Sequence, residues 1–165
     1  MVSPRAFVGV VSQSHVERGV EGGFAQLCHG KHGPLTRMRA GDWLAYYSPR
    51  TVFRGGEPLQ AFTALGRMVD EETFQLDLGG GFVPWRRKVE FLPTRGVAPL
   101  ALLKPRLSFT RPGLNWGLLA RRGHFEVTLE DAALIAQALG VPGAVARGRG
   151  LPELRGSAPL LARAG

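Results

Sequence analysis

Short runs of apolar and β-branched residues recur along the chain and predict a mainly β fold. Residues 6–11 form an unbroken apolar run, which is typical of a buried strand. Residues 43–47 are rich in aromatic side chains, and residues 59–69 alternate with the two-residue period of a strand. Further strands are predicted at residues 74–78, 83–92 and 125–127, with turns at 70–72 and 79–81.

Helical periodicity is clearest near the end of the patterned region. Thr128 and Asp131 fit a capping box, an apolar face follows them, and Gly140 ends the helix. A short serine-capped helix is predicted at residues 14–18, and the glycine-rich residues 19–34 are expected to form an irregular loop. The pattern therefore predicts an α+β, mainly β fold: a small mixed barrel of about five strands with short helices around it.

Charge adds a class of partner to this picture. The 165 residues include 21 Lys and Arg against 13 Asp and Glu, which gives a net charge of +8. A domain this basic usually meets a polyanion, of which nucleic acid is the common case and an acidic membrane surface the other. Nearly all of the positive charge is arginine, whose planar fork binds phosphate oxygens in pairs.

The cysteine count and the amino-terminal residues bear on location. Cys28 is the only cysteine, so no disulfide can form within the chain. The first residues show no apolar targeting run, and no stretch approaches the ~20 apolar residues of a membrane span. These features predict a cytoplasmic protein. Residues 1–140 are predicted to be one domain, and residues 141–165 a basic tail rich in Gly, Ala, Pro and Arg, poorly ordered.

An ordered set of short motifs resembles the bacterial EVE-domain proteins, over roughly residues 5–140. The motifs are GVVS at 9–12 with His15, GVEGGF at 19–24, QLCHGK at 26–31, GDW at 41–43, YYSP at 46–49, GEPLQAFT at 56–63, RR at 86–87, LSF at 107–109, WG at 116–117 and FE at 125–126. No single motif is decisive, but the order makes the set specific.

The resemblance implies a PUA-like fold related to YTH domains, which hold a methylated base in an aromatic cage. It implies a module that binds DNA or RNA and recognises a modified base, with modified cytosine favoured, and performs no catalysis. Phe24 lies where YTH-type proteins place an aromatic side chain against the base, and Arg121 and Arg122 lie where they place a phosphate-binding arginine.

Further candidates come from the residues themselves. Ser12 and Ser48 each follow a predicted strand, and with Gln26 they are candidates for hydrogen bonds to a base edge. Tyr47 is a candidate for the mouth of the pocket. Strand-end capping for the serines, and core packing for the aromatic side chains, stay open as alternatives. Aromatic and basic surface candidates are Trp85, Arg86 and Trp116.

The residues of the sequence suggest two other kinds of site. Cys28, His29 and His32 place three metal donors in one loop, but structural zinc usually needs four ligands from two separated pairs, so no metal or cofactor is predicted. Lys31, Glu57 and Thr63 supply the residue types of small PUA-like amidohydrolases that act on modified nucleosides, which is the enzyme alternative. A third possibility is that the basic face docks onto a partner protein.

Overall fold

A computed structural model describes residues 3–145, which form one mixed sheet with short helices packed on it. The strands are β1 Ala6–Val10, β2 Phe24–Ala25, β3 Trp43–Arg50, β4 Pro58–Gln75, β5 Trp85–Phe91, β6 Ala98–Pro99 and β7 His124–Val127. The helices are α1 Gln13–Gly22, α2 His32–Thr36, α3 Leu100–Leu103, α4 Trp116–Arg121 and α5 Leu129–Ala138, with single 3-10 turns at Cys28–Gly30 and Ser108–Thr110.

The sheet is open, and this corrects the predicted barrel. Its strands lie in the order β2-β5-β4-β3-β1-β7, with β6 paired to β4. The neighbours β1 and β3 are parallel, and the other pairs are antiparallel. The end strands β2 and β7 have two and four residues and pair on one side only among residues 3–145. The mainly β class is confirmed, and residues 3–145 contain seven strands in place of about five.

Strand β4 runs for 18 residues through the turn predicted at residues 70–72. The register between β4 and β5 shifts between Met68 and Thr73, so the polar residues are accommodated in a bulge and the pairing resumes beyond it. A strand can therefore contain a charged segment that resembles a turn in the sequence. The turn at residues 79–81 is confirmed, since all three glycines have positive φ.

Helix α1 is twice as long as predicted, and two of the glycines within it allow close packing against β2. A Cβ atom on Gly19 would lie 2.7 Å from the carbonyl oxygen of Phe24, and one on Gly22 would lie 2.7 Å from the Phe24 ring. The helix ends at Gly23, whose φ of 70° is left-handed. The segment predicted as an irregular loop therefore begins with ordered helix that is pressed against β2.

Two hydrophobic clusters cover the two faces of the sheet. Trp43 and Tyr47 lie in the cluster covered by α3 and α5, whereas Leu44 and Tyr46 lie in the other, as strand alternation predicts. The capping box at Thr128 is confirmed, and α5 ends at Ala138. Packing continues past the predicted boundary at residue 140, because Val145 is buried in the first cluster. Most of the predicted tail, residues 146–165, lies outside the described residues.

Arg87 is a buried cation that ties α2 to the sheet. Its side chain is 1% exposed and donates to the carbonyl oxygens of Leu35, Met38 and Asp70. An arginine in a run of basic residues would be expected on the surface, yet strand alternation turns this one inward. Hydrogen bonds to three carbonyls satisfy a charge that would otherwise be costly to bury.

His124, at the start of β7, is a buried imidazole that stacks on Phe7. The two rings are nearly parallel, with centroids 5.0 Å apart. Burial, with a smaller effect from Arg37, lowers the pKa of His124 from 6.5 to about 4. The folded protein therefore holds this ring neutral at pH values where an unfolded chain would protonate it.

We expect His124 to make the stability of the protein depend on pH. Because the folded pKa is depressed, the contribution is complete above pH 6.5 and is lost as pH falls toward 4. Between pH 7 and pH 5, the free energy of unfolding should fall by ~2 kcal/mol on this account. Urea denaturation of the wild type and of His124→Phe at both pH values measures this fall in the free energy of unfolding.

The variant keeps a ring against Phe7 and removes the titration, so its stability should change less over this pH range. His29→Gln, on the surface, is the control and should follow the wild type. Equal pH dependence for the wild type and His124→Phe would contradict this account of His124.

Candidate nucleic-acid interface

The pairing of β2 with β5 sets the faces on which the candidate residues lie. Phe24 is opposite Lys88, and Ala25 is opposite Arg87. Since successive side chains alternate between the faces of a strand, Arg86 shares the face of Phe24, while Arg87 points the other way. Adjacent arginines thus have separate roles, one in the interior and one at the candidate site.

Arg86 stacks on Phe24 and is fixed there by Gln26. The guanidinium carbon lies 3.8 Å from the centre of the Phe24 ring, and Nε donates to Gln26 Oε1 at 2.9 Å. His15 of α1 completes the group, with its Nε2 3.0 Å from the backbone oxygen of Gln26. We call Phe24, Gln26, Arg86 and His15 the β2–β5 cluster. It brings together three of the residues predicted to bind nucleic acid.

The Phe24 ring is in contact with protein on one face and at one edge. Arg86 covers the face. The backbone of Gly22 lies so near the ring that a Cβ atom there would be 2.7 Å from Cδ2 and Cε2. The Arg86 side chain therefore occupies the place predicted for a base on this face of Phe24, and a ligand can stack on this face only if the side chain moves.

The electrostatics of the cluster are positive. Burial lowers the pKa of Arg86, and the nearby Arg18 lowers it further. Burial also lowers the pKa of His15; the hydrogen bond to Gln26 opposes this, and Arg18 and Arg86 add to it. His15 is therefore neutral at pH 7, and its Nε2–H donates to the Gln26 carbonyl, which can only accept.

Ser48 and Tyr47 lie inside the protein, not at an opening. Ser48 is fully buried within β3, with its Oγ 2.8 Å from Thr63 Oγ1. The strand was predicted to end before Ser48, but it continues to Arg50 through a register shift that accommodates Pro49. Tyr47 is 4% exposed and packs edge-on against Phe62. Neither side chain presents a surface to a ligand.

The two candidate tryptophans have different surroundings. Trp116 is half-buried at the start of α4 and contacts Tyr47, Phe109 and Phe125 at ring distances of 5.2, 5.3 and 5.8 Å. It belongs to the core under α4. Trp85 is also half-buried, but the ring of His32 lies 4.2 Å from it near the surface. Of the two, only Trp85 adjoins the candidate site, as the neighbour of Arg86 in β5.

The remaining candidates are at or near the surface. Ser12 is half-exposed and precedes α1; its backbone oxygen accepts hydrogen bonds from that helix, and its Oγ lies 3.4 Å from Ser14 Oγ. Arg121 and Arg122 are exposed at the end of α4. The Cys28 thiol donates to the Arg122 carbonyl at 3.5 Å, so the segment that follows β2 reaches this arginine pair.

The residues of the two alternative sites, for a metal and for an amidohydrolase, are not brought together by contacts within residues 3–145. His29 packs near Phe53, whereas His32 packs near Trp85, so these two potential metal donors have different neighbours. No group of three or more metal-ligating side chains lies together in the described part of the chain. Within the same part, no hydrogen bond or ion pair joins Lys31, Glu57 and Thr63. The enzyme alternative stays a prediction.

A groove of about 520 Å³ lies elsewhere, between α1 and the segment that follows β5. Its lining includes Glu17, Glu21, Thr63 and Thr94, and it contains none of the residues predicted to bind nucleic acid. Two carboxylates in the wall repel phosphate, so this groove is a poor place for a nucleic-acid backbone.

Comparison with known proteins identifies the family to which this chain belongs. The sequence profile of the EVE domain matches residues 5–138. The chain belongs to the EVE-domain family. A Bacillus subtilis relative, UPF0310 protein YdcG, is 42% identical over 135 residues, which are 82% of this chain and 92% of the relative. A UPF0310 protein of Renibacterium salmoninarum is 49% identical over 133 residues, 81% of this chain and 94% of that protein.

Solved structures show the same fold at low sequence identity. This EVE domain is similar to the YTH domain-containing protein mmi1 in its complex with RNA, with a TM-score of 0.58 and 9% identity over 83% of this chain and 82% of that one. It is also similar to a hypothetical protein of Leishmania major, with a TM-score of 0.57 and 14% identity over 84% and 96% of the two chains. In residues 3–145, no helix is long and apolar enough to cross a membrane.

The sequence analysis did not identify Arg18 as a residue close to this EVE-domain site. Arg18 lies three residues after His15 on α1, the spacing that places two side chains on one helix face. Its charge acts on both His15 and Arg86. The predicted helix at residues 14–18 already contains this spacing, but the proximity of Arg18 to Arg86 depends on how α1 packs beside β5.

The charge environment of His15 tests the geometry of the cluster. Replacing Arg86 or Arg18 with methionine removes a positive charge that opposes protonation, so the pKa of His15 should rise in Arg86→Met and in Arg18→Met. NMR titration of the imidazole resonances measures the shift. Arg95→Met, which removes a charge near Gly140, is the control. An unchanged His15 pKa in both test variants would show that the cluster is not formed in solution.

Proposed function

We propose that this EVE domain binds DNA or RNA and holds one modified base, with modified cytosine favoured, at the β2–β5 cluster, without chemical change to the base. The observation that carries the proposal is the stack of Arg86 on Phe24, fixed by the hydrogen bond to Gln26. A flat, positively charged surface backed by an aromatic ring is suited to a nucleobase, because bases stack on guanidinium planes as well as on aromatic rings.

The stack allows two ways of holding a base. The base can lie on the outer face of the Arg86 guanidinium, or it can take the place of Arg86 against Phe24. In both cases, taking a base out of a stack costs a few kcal/mol, which new stacking and hydrogen bonds to the base edge offset. With Gln26 Oε1 already accepting from Arg86, the amide NH₂ is the group that can donate to the ring nitrogen or carbonyl of a cytosine.

Phosphate binding is supported by the excess of positive charge. The chain carries +8, and Arg18, Arg121 and Arg122 are exposed. Contacts of this kind add affinity that is independent of sequence and falls with salt. The similarity to a YTH domain solved with RNA favours a nucleic-acid partner at the level of fold.

The proposal excludes catalysis because of the make-up of the cluster. Its ionisable members are a cation, Arg86, and an imidazole, His15, whose Nε2–H already donates to a backbone oxygen. The cluster itself contains no carboxylate or nucleophile that could act with His15 as a general acid–base pair.

The test is the binding of single-stranded DNA and RNA oligonucleotides, with and without one 5-methylcytosine, across a salt series. The wild type should prefer the modified strand. Phe24→Leu should weaken binding of the modified strand by ~1–3 kcal/mol, the value of one lost aromatic stack. The dependence of the affinity on salt concentration should stay the same, since this substitution changes no charge. Fluorescence anisotropy measures both quantities.

Phe82→Leu is the matched control, because Phe82 is an exposed phenylalanine in the turn between β4 and β5. It should bind like the wild type. Arg86→Gln should both weaken binding and lower the salt slope by about one. Equal affinity for modified and unmodified strands, together with wild-type binding by Phe24→Leu, would refute the proposed base site.

A further inference from the structure

The loop between β3 and β4 holds an exposed aromatic ring that neither the core nor the β2–β5 cluster uses. Phe53 is 55% exposed, although a phenylalanine is normally among the most buried residues. The Arg54 guanidinium carbon lies 5.1 Å from the centre of its ring, and the ring of His29 lies 5.6 Å away. The combination is an aromatic face bordered by a cation and a second flat ring.

Hydrogen bonds within the loop hold this ring in place. The Arg50 side chain donates to the carbonyl oxygens of Gly55 and Gly56 at 2.7 and 2.8 Å. The backbone N–H of Thr51 donates to the Glu57 carbonyl, and the Thr51 carbonyl accepts from Ser14 at the start of α1. A loop fixed at several points presents its aromatic ring with little loss of conformational entropy on binding.

The position of the ring places it within reach of the same bound strand. His29, which contacts Phe53, is five residues after Phe24, so the two backbone positions are at most about 18 Å apart. Cys28, beside His29, donates to the Arg122 carbonyl, so the exposed arginines at the end of α4 adjoin the loop. Positive charge therefore lies at the ring itself, from Arg54, and beside the neighbouring Cys28–His29 segment, from Arg122.

We propose that Phe53 is a second stacking surface, for an unpaired base that flanks the one held at the β2–β5 cluster in a single strand of DNA or RNA. Arg54 and the arginines at the end of α4 bind the adjoining phosphates. This inference rests on the proposed function for the identity of the ligand class, but it stands on different residues. Stacking on a phenylalanine accepts any base, so this surface extends the contact without adding a sequence requirement.

The test compares Phe53→Leu, Phe53→Trp and the control Phe82→Leu in binding to a ten-nucleotide strand with one central 5-methylcytosine, made as DNA and as RNA. A second pair of strands carries abasic positions on both sides of the modified cytosine. Phe53→Leu should weaken binding of the intact strand about 5- to 150-fold, the range for loss of one base–aromatic stack. On the abasic strand it should bind like the wild type. Phe53→Trp should retain affinity, because it restores an aromatic face.

Wild-type affinity of Phe53→Leu for the intact strands, or an equal loss on intact and abasic strands, would overturn the inference. Failure of the base site is a separate result. In that case, neither Phe24→Leu nor the methyl group on cytosine would change the affinity, while Phe53→Leu would still weaken binding of intact strands. A loss restricted to the RNA strands or to the DNA strands would support the surface and identify which nucleic acid it binds.

Discussion

The short antiparallel pairing between β2 and β5 determines how the candidate site is built. It places Phe24 beside Arg86 on one face and directs Arg87 to the other. A shift of one residue in this register would exchange the two arginines, leaving the carbonyl oxygens that bind Arg87 without their donor. The buried hydrogen bonds of Arg87 to α2 and β4 therefore hold the register that positions the Phe24–Arg86 stack.

The same pairing explains why α1 is glycine-rich where it passes β2. Gly19 and Gly22 allow the helix to contact Phe24 closely, at its carbonyl oxygen and at the Cδ2–Cε2 edge of its ring. The ring meets the helix at this edge, and Arg86 lies on one face of the ring, in the place expected for a base. The structure thus contains a preassembled flat surface, and not an open cavity, at the position where the EVE family resemblance places the ligand.

The sequence predicted part of this arrangement. Strand alternation along residues 43–47 places Trp43 and Tyr46 on opposite faces, and the two side chains lie in different hydrophobic clusters. It could not show that Tyr47 would be covered by Trp116, because that contact joins residues far apart in the chain. The partner of Ser48, Thr63, belongs to a different strand and is likewise invisible to local pattern.

The register between β2 and β5 joins residues far apart in the chain and could not be predicted, which also limited the prediction of the site. Arg86 and Arg87 cannot be distinguished in the sequence, where both belong to a basic run. Only the pairing with β2 shows that Arg86 stacks on Phe24 and that Arg87 is buried. Phe53 could not be identified as a binding residue from the sequence, because an isolated phenylalanine in a glycine-rich segment belongs to no periodic pattern. Its exposure and its contacts with His29 and Arg54 arise only in the folded chain.

The most direct measurement is a crystal structure of the protein with a single-stranded oligonucleotide that contains one 5-methylcytosine. The account predicts that the cytosine ring lies parallel to the Arg86 guanidinium or to the Phe24 ring at a separation of about 3.5–4 Å, with the Gln26 amide at its edge. A cytosine bound in the groove beside Glu17 and Glu21, with the stack of Arg86 on Phe24 undisturbed and no base upon it, would contradict the account.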